Sequence, residues 1–122
     1  MNTSLPVNIV QAANPEAIFS NKDEALANGN TETQTVTHSV QYYLQRVYVS
    51  ANGDATAVIK TGTTGSEAER RVFYLSKSDA NQVWTLDEPL AMETTESVVV
   101  EITNNNGSDI KVSSTVQGFQ AS

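Results

Sequence analysis

From Thr33 to the C-terminal end, apolar and polar residues alternate with a period of two; before Thr33 they do not. Alternation of this kind marks half-buried strands, because successive side chains of a strand point to opposite faces. The pattern predicts a polar, β-prone strand in "TQTVTHSV" and a strand apolar on both faces in "YYLQRVYVS". After the turn "ANGD" it predicts the strand "ATAVIKT" and the flexible loop "GTTGSEAE". "RRVFYLS" sets Val72, Phe73, Tyr74 and Leu75 in succession, which predicts a strand covered on both sides and therefore central. The loop "KSDANQ", the short strand "VWTL" and the excursion "DEPLAMETTE" follow, and "SVVVEITNNNGSDIKVSSTVQGF" closes the chain as strand, turn and strand. About seven to eight short strands with regularly spaced turns predict an all-β protein, an antiparallel β-sandwich of jelly-roll or Ig-like type.

Register follows from the same alternation. In the closing stretch Val98, Val100, Ile102, Ile110, Val112 and Val116 all carry even numbers. Pairing Ile102 with Ile110 and Val100 with Val112 as a hairpin keeps them on one face, whereas a slip of one residue sets Ile102 against Lys111. The Asn-rich segment Asn104 to Ser108 is then the tip, expected to face solvent. Around Asn52-Gly53 two hairpin registers stay open. A two-residue turn sets Val47 opposite Val58, and a three-residue loop sets Val47 opposite Ile59.

The first 31 residues read differently. They hold Pro6 and Pro15 and show no sustained alternation. In "ANPEAIF", Asn14 can cap a helix that has Pro15 in its first turn. In "SNKDEALANG", Ser20 can cap a second helix that stops at Asn28-Gly29. The expectation is an N-terminal arm, residues 1–31, with one or two short helical turns, beside a sandwich domain of residues 32–122. The arm carries Leu5, Val7, Ile9, Val10, Ile18 and Phe19 in small groups, so it is expected to need a partner surface.

Composition narrows function by exclusion. A chain of 122 residues can bury roughly two thirds of its unfolded surface, enough for a single core. It has no Cys, which excludes disulfides and cysteine zinc sites. No run approaches the roughly 20 apolar residues of a membrane-spanning helix, and "MNTSLPVNIVQAANP" lacks the basic start and apolar run of a signal peptide. Seven basic against fourteen acidic residues give a net charge of −7, which opposes binding to phosphate backbones. No membrane and no nucleic acid are therefore expected as partners.

Catalytic constellations are not found in the sequence. His38 is the only histidine and has no ligand-type residues at metal spacing, so it reads as a sheet-surface residue. "TGTTGSE" lacks the Gly-Lys-Ser/Thr ending of a phosphate loop. Asp87 and Glu88, with Glu93 and Glu96 near them, are too close along the chain to face each other across a glycosidase cleft. Asn52 to Asp54 and the acidic 87–96 loop supply oxygens but match no EF-hand. Trp84 with Tyr42, Tyr43, Tyr48 and Tyr74 could stack on a sugar, or fill a core. The expectation is a non-enzymatic protein without catalytic residues, cofactor or metal.

The segments "YLQRVYVSANGDATAVIKTG" and "VEITNNNGSDIKVSSTVQGF", in a small acidic chain without Cys, resemble minor structural proteins of tailed bacteriophages, particularly capsid decoration (cement) proteins. The resemblance spans Thr33 to Phe119. It implies a virion component made in the host cytoplasm, present in many copies, trimeric and without catalysis. Its partner would be the major capsid protein or another virion protein. Such proteins have no active site, so no functional residue is carried over. The alternatives are a tail, fibre or head-fibre component, and a carbohydrate-binding β-sandwich module.

Overall fold

The computed structural model describes residues 16–120. Eight strands follow one another: β1 (Glu16–Leu26), β2 (Thr31–Val36), β3 (Tyr42–Ala51), β4 (Ala55–Thr63), β5 (Ala68–Leu75), β6 (Asn81–Met92), β7 (Glu96–Asn104) and β8 (Ile110–Gln120). They form two four-stranded sheets, in the orders β1-β8-β3-β6 and β2-β7-β4-β5, with every pairing antiparallel. Strand β1 lies beside β8, β2 beside β7, β3 beside β6 and β4 beside β5. This is one long antiparallel ribbon rolled over on itself, the strand order of a jelly roll rather than of an Ig-like sandwich.

Between the sheets, side chains of alternate parity interdigitate. β3 contributes Leu44, Val47 and Val49, β4 contributes Ala57 and Ile59, β7 contributes Val98, Val100 and Ile102, and β8 contributes Ile110, Val112 and Val116. The even-numbered set of the closing stretch is thus in the core as the alternation predicted. The hairpin is not. β7 and β8 belong to different sheets, so Val100 and Val112 meet the core from opposite sides. Alternation fixes which face of a strand is buried, but a sandwich core has two walls, and both satisfy the pattern equally. The same correction applies at Asn52-Gly53. β3 and β4 also cross between sheets, and Val47 is paired with Trp84 and Val116, not with Val58 or Ile59.

Other expectations are corrected. The helix expected from Ser20 to Asn28-Gly29 is strand β1, an edge strand paired along β8 from Glu16↔Phe119 to Leu26↔Ile110. Local capping signals lose here to pairing, since Ala17 and Phe19 gain core contact that a short isolated helix would lack. Of the helical turn expected near Asn14, Glu16 to Phe19 are also strand. Residues 1–15, about half of that expected arm, lie outside the described residues. "RRVFYLS" is the edge strand β5, and its two-sidedness reflects Val72 and Tyr74 left partly or fully open to solvent. The strand buried on both faces is β7, where Ser97, Val98, Val99 and Val100 are all buried. "VWTL" and most of "DEPLAMETTE" make one strand, β6. Between Thr85 and Leu90 it arches away from β3, carrying Asp87, Glu88 and Pro89 to the surface. Charges, a proline and an irregularity on an edge strand discourage pairing with another chain.

The Asn-rich tip is only partly a tip. Asn104 is fully buried, and its side chain donates to Leu26 O (2.7 Å) and Ser108 O (2.8 Å) while accepting from Asn106 N (2.7 Å). Its backbone bonds Gly29 N and Asn30 O. Asn28 Oδ1 accepts from Gly107 N, Asn106 Oδ1 from Asp54 N and Asn52 Oδ1 from Lys111 N. Five asparagines, counting Asn105 with its bond to Thr56, thereby stitch the β1–β2, β3–β4 and β7–β8 loops into one end of the sandwich. A short amide side chain suits this work because it both donates and accepts close to its own backbone.

Candidate interaction face

The outer face of the β1-β8-β3-β6 sheet is where alternation leaves apolar side chains without cover. Ile18 is 55% exposed, Tyr48 42% and Val83 43%. Tyr48 lies directly beside Val83 on β6 and Thr115 on β8, so the apolar pair is contiguous. Beyond the row of Arg46, Thr85 and Gln117, Tyr43 pairs with Phe119 and Ala91. Polar side chains between them are tied down: Gln117 donates to Glu16 (2.6 Å) and accepts from Arg46 (3.4 Å). Hydroxyls meet in pairs, Ser20 with Thr115 and Ser50 with Ser113. Toward the asparagine end, a shallow depression of about 370 Å³ is lined by Lys22, Ser50, Asn52, Asn81 and Lys111 among others. A braced face with exposed aliphatic and aromatic groups inside a polar frame can pack against an apolar surface.

The opposite outer face is different. It presents threonines in rows, Thr31, Thr103 and Thr56 side by side, with Tyr74 at their end. The hydroxyls of Thr31 and Thr103 are 2.7 Å apart. The aromatics considered as a sugar platform are therefore divided. Tyr42 is buried and Trp84 packs inward on the core, whereas Tyr43 and Tyr48 belong to one outer face and Tyr74 to the other. Tyr42 donates its hydroxyl to Ala17 O, and burial, aided by the charge of Glu16, holds that phenol above its ordinary pKa.

His38 lies in the β2–β3 loop instead of on a strand. It stacks on Tyr42 with centroids 5.7 Å apart and meets Phe19 edge-on at 5.8 Å. Asp87 and Glu88 sit on the exposed arch of β6. Glu93 accepts from Gln41, and Glu96 accepts from the backbone of Glu93. No group of three or more His, Cys, Asp or Glu that could hold a metal ion occurs among the described residues. What sequence reasoning missed was the outer face itself. Its signal was present in Ile18, Tyr48 and Val83, whose outward parity becomes visible only once the register of β1, β3 and β6 is known.

No protein-family model matches the chain, and no curated protein sequence matches it. Solved structures do. A chain of the acidic stable capsid of Helicobacter pylori bacteriophage KHP30 is similar at 14% identity with a TM-score of 0.51, covering 89% of this chain and 94% of that one. The Yersinia pseudotuberculosis-derived mitogen is similar at 13% identity and TM-score 0.54, covering 84% and 85%. PirA is similar at 14% identity and TM-score 0.51, covering 80% and 92%. At such identities the likeness is one of fold, a two-sheet β-sandwich.

Proposed function

We propose that this protein is a non-enzymatic structural component of a bacteriophage virion, a capsid decoration protein that binds and stabilises the major capsid shell as a trimer. The observation that carries the reading is the outer face of the β1-β8-β3-β6 sheet, where Ile18, Tyr48 and Val83 stay exposed on an otherwise braced surface. Burial of such groups against a partner is favourable at roughly 25 cal/mol per Å² of apolar area. The sequence resemblance to decoration proteins supports the same reading. So does the similarity in fold, over nearly the full length of both chains, to a chain of a phage capsid. A net charge of −7 opposes non-specific aggregation of the free protein.

The test uses capsids of the phage that encodes the protein, stripped of their minor proteins. Co-sedimentation that saturates at a fixed ratio to the major capsid protein, with a raised disassembly temperature of the shell, is the expected result. Binding to isolated tails or fibres alone would move the protein elsewhere in the virion. Binding to glycans with no affinity for any virion part would replace the reading by a carbohydrate-binding one. Native mass spectrometry of the free protein reads the trimer.

A further inference from the structure

Three asparagines of the chain precede glycine, Asn28, Asn52 and Asn106, and the fold gathers all three at the asparagine end of the sandwich. An Asn-Gly pair is chemically labile. The glycine nitrogen attacks the asparagine Cγ, a C–N bond forms, and the side-chain amide leaves as ammonia. Water then opens the resulting succinimide at either carbonyl, to aspartate or isoaspartate. Glycine favours the attack because no Cβ hinders the backbone rotation it needs.

All three asparagines are exposed, and in each the side-chain carbonyl accepts one backbone N–H. Asn28 takes Gly107 N–H (2.9 Å), Asn52 takes Lys111 N–H (2.8 Å) and Asn106 takes Asp54 N–H (3.1 Å). The electrophiles are thus polarised alike. The nucleophiles differ. Gly29 N–H, which would attack Asn28, is held by Asn104 O at 2.9 Å. Gly107 N–H, which would attack Asn106, is held by Asn28 Oδ1 at 2.9 Å. Gly53 N–H, which would attack Asn52, has no acceptor among the described residues. We propose that Asn52 is the deamidation site of this protein and that Asn28 protects Asn106 by occupying the nitrogen that would attack it.

The product matters to the fold. Isoaspartate at 52 lengthens the main chain by one carbon beside Gly53, where even an added Cβ would lie 2.7 Å from Ile110 Cγ2 and 2.8 Å from Asn106. The loop end must then shift, and with it the bonds between Asn52 and Lys111.

The experiment ages the intact protein in warm, mildly alkaline buffer and follows three tryptic peptides by mass. Asp23 to Arg46, Val47 to Lys60 and Ser78 to Lys111 carry one Asn-Gly each. The Val47 to Lys60 peptide is expected to convert at least about fivefold faster than the others, the factor that one net backbone hydrogen bond imposes. In urea all three should convert at similar rates. Asn28→Ala is expected to accelerate conversion at Asn106 while leaving the rate at Asn52 unchanged. First conversion at Asn28 or Asn106, equal rates in the native protein, or an Asn106 rate indifferent to Asn28→Ala would overturn the proposal.

Discussion

Ser114 on β8 donates its hydroxyl to Gln34 Oε1 on β2 at 2.7 Å, from one sheet to the other through the core. Both side chains are buried, and the walls around them are aliphatic. A polar pair in such a place contributes little net stability when made, but leaves a costly orphan when half of it is removed. Ser114→Ala is therefore expected to lower unfolding free energy by about 1–3 kcal/mol. The double variant Ser114→Val with Gln34→Leu should recover most of that loss. Urea unfolding of the parent, Ser114→Ala and the double variant checks this, and a neutral Ser114→Ala would show that water replaces the serine.

Gly118 presents a steric prediction. It faces inward on β8, where the ring of Tyr42 fills the space a side chain would need. An added Cβ would run into Tyr43 O and lie 2.8 Å from the Tyr42 ring. Backbone and a buried ring cannot both give way, so Gly118→Ala is expected to destabilise by about 3 kcal/mol. Tyr42→Phe combined with it should relieve little, because the backbone clash remains. Thermal melts of the two variants decide the point.

Two surface groups of opposite charge, Lys60 and Glu67, set opposite ends of the pH profile. Lys60 donates to Glu101 at 2.9 Å across β4 and β7, and that bond, with the attraction of Glu101, raises its pKa above 10.5. A raised lysine contributes stability that is whole below its unfolded pKa and fades as pH climbs through the folded one. Glu67 accepts from Gly65 N–H at 3.0 Å, which lowers its pKa below 4.5. Its contribution is present above the unfolded value and fades as pH falls through the folded one. Both effects are small because water screens exposed groups. Glu101→Gln should flatten the alkaline decline of the melting temperature, and Glu67→Gln the acid decline, each without touching the other.

How much of this was legible in the sequence depends on distance along the chain. Which face of each strand is buried was readable at Val98, Val100, Ile102, Val112 and Val116, since parity is a local property. Which wall of the sandwich each strand joins was not, because Val100 and Val112 satisfy the same pattern whether they are hairpin partners or face each other across a core. The helix signals at Ser20 and Asn28-Gly29 were real local preferences. They lost to the long-range pairing of β1 with β8, 95 residues apart at Ser20 and Thr115. Asn104 read as a solvent-facing turn residue, since nothing local shows that Leu26 and Ser108 will supply the carbonyls that satisfy it.

The proposed docking face yields the prediction that bears most on function. Tyr48 and Val83 are cross-strand neighbours, each more than two fifths exposed, so replacing either disturbs little of the core. Tyr48→Asp and Val83→Lys should each leave stability within about 1 kcal/mol of the parent, as surface substitutions do. On a capsid the same groups would be enclosed, and a charge introduced there would be stripped of water without a partner. Affinity for stripped capsids is then expected to fall at least about tenfold, or about 1.4 kcal/mol. Tyr74→Ala is the control. It removes the most exposed aromatic, 75% open, from the opposite sheet and should leave capsid affinity unchanged. If Tyr74→Ala abolishes binding and the charged variants do not, the threonine-rich face is the one that docks. If all three bind as the parent does, the partner contact lies on neither sheet face.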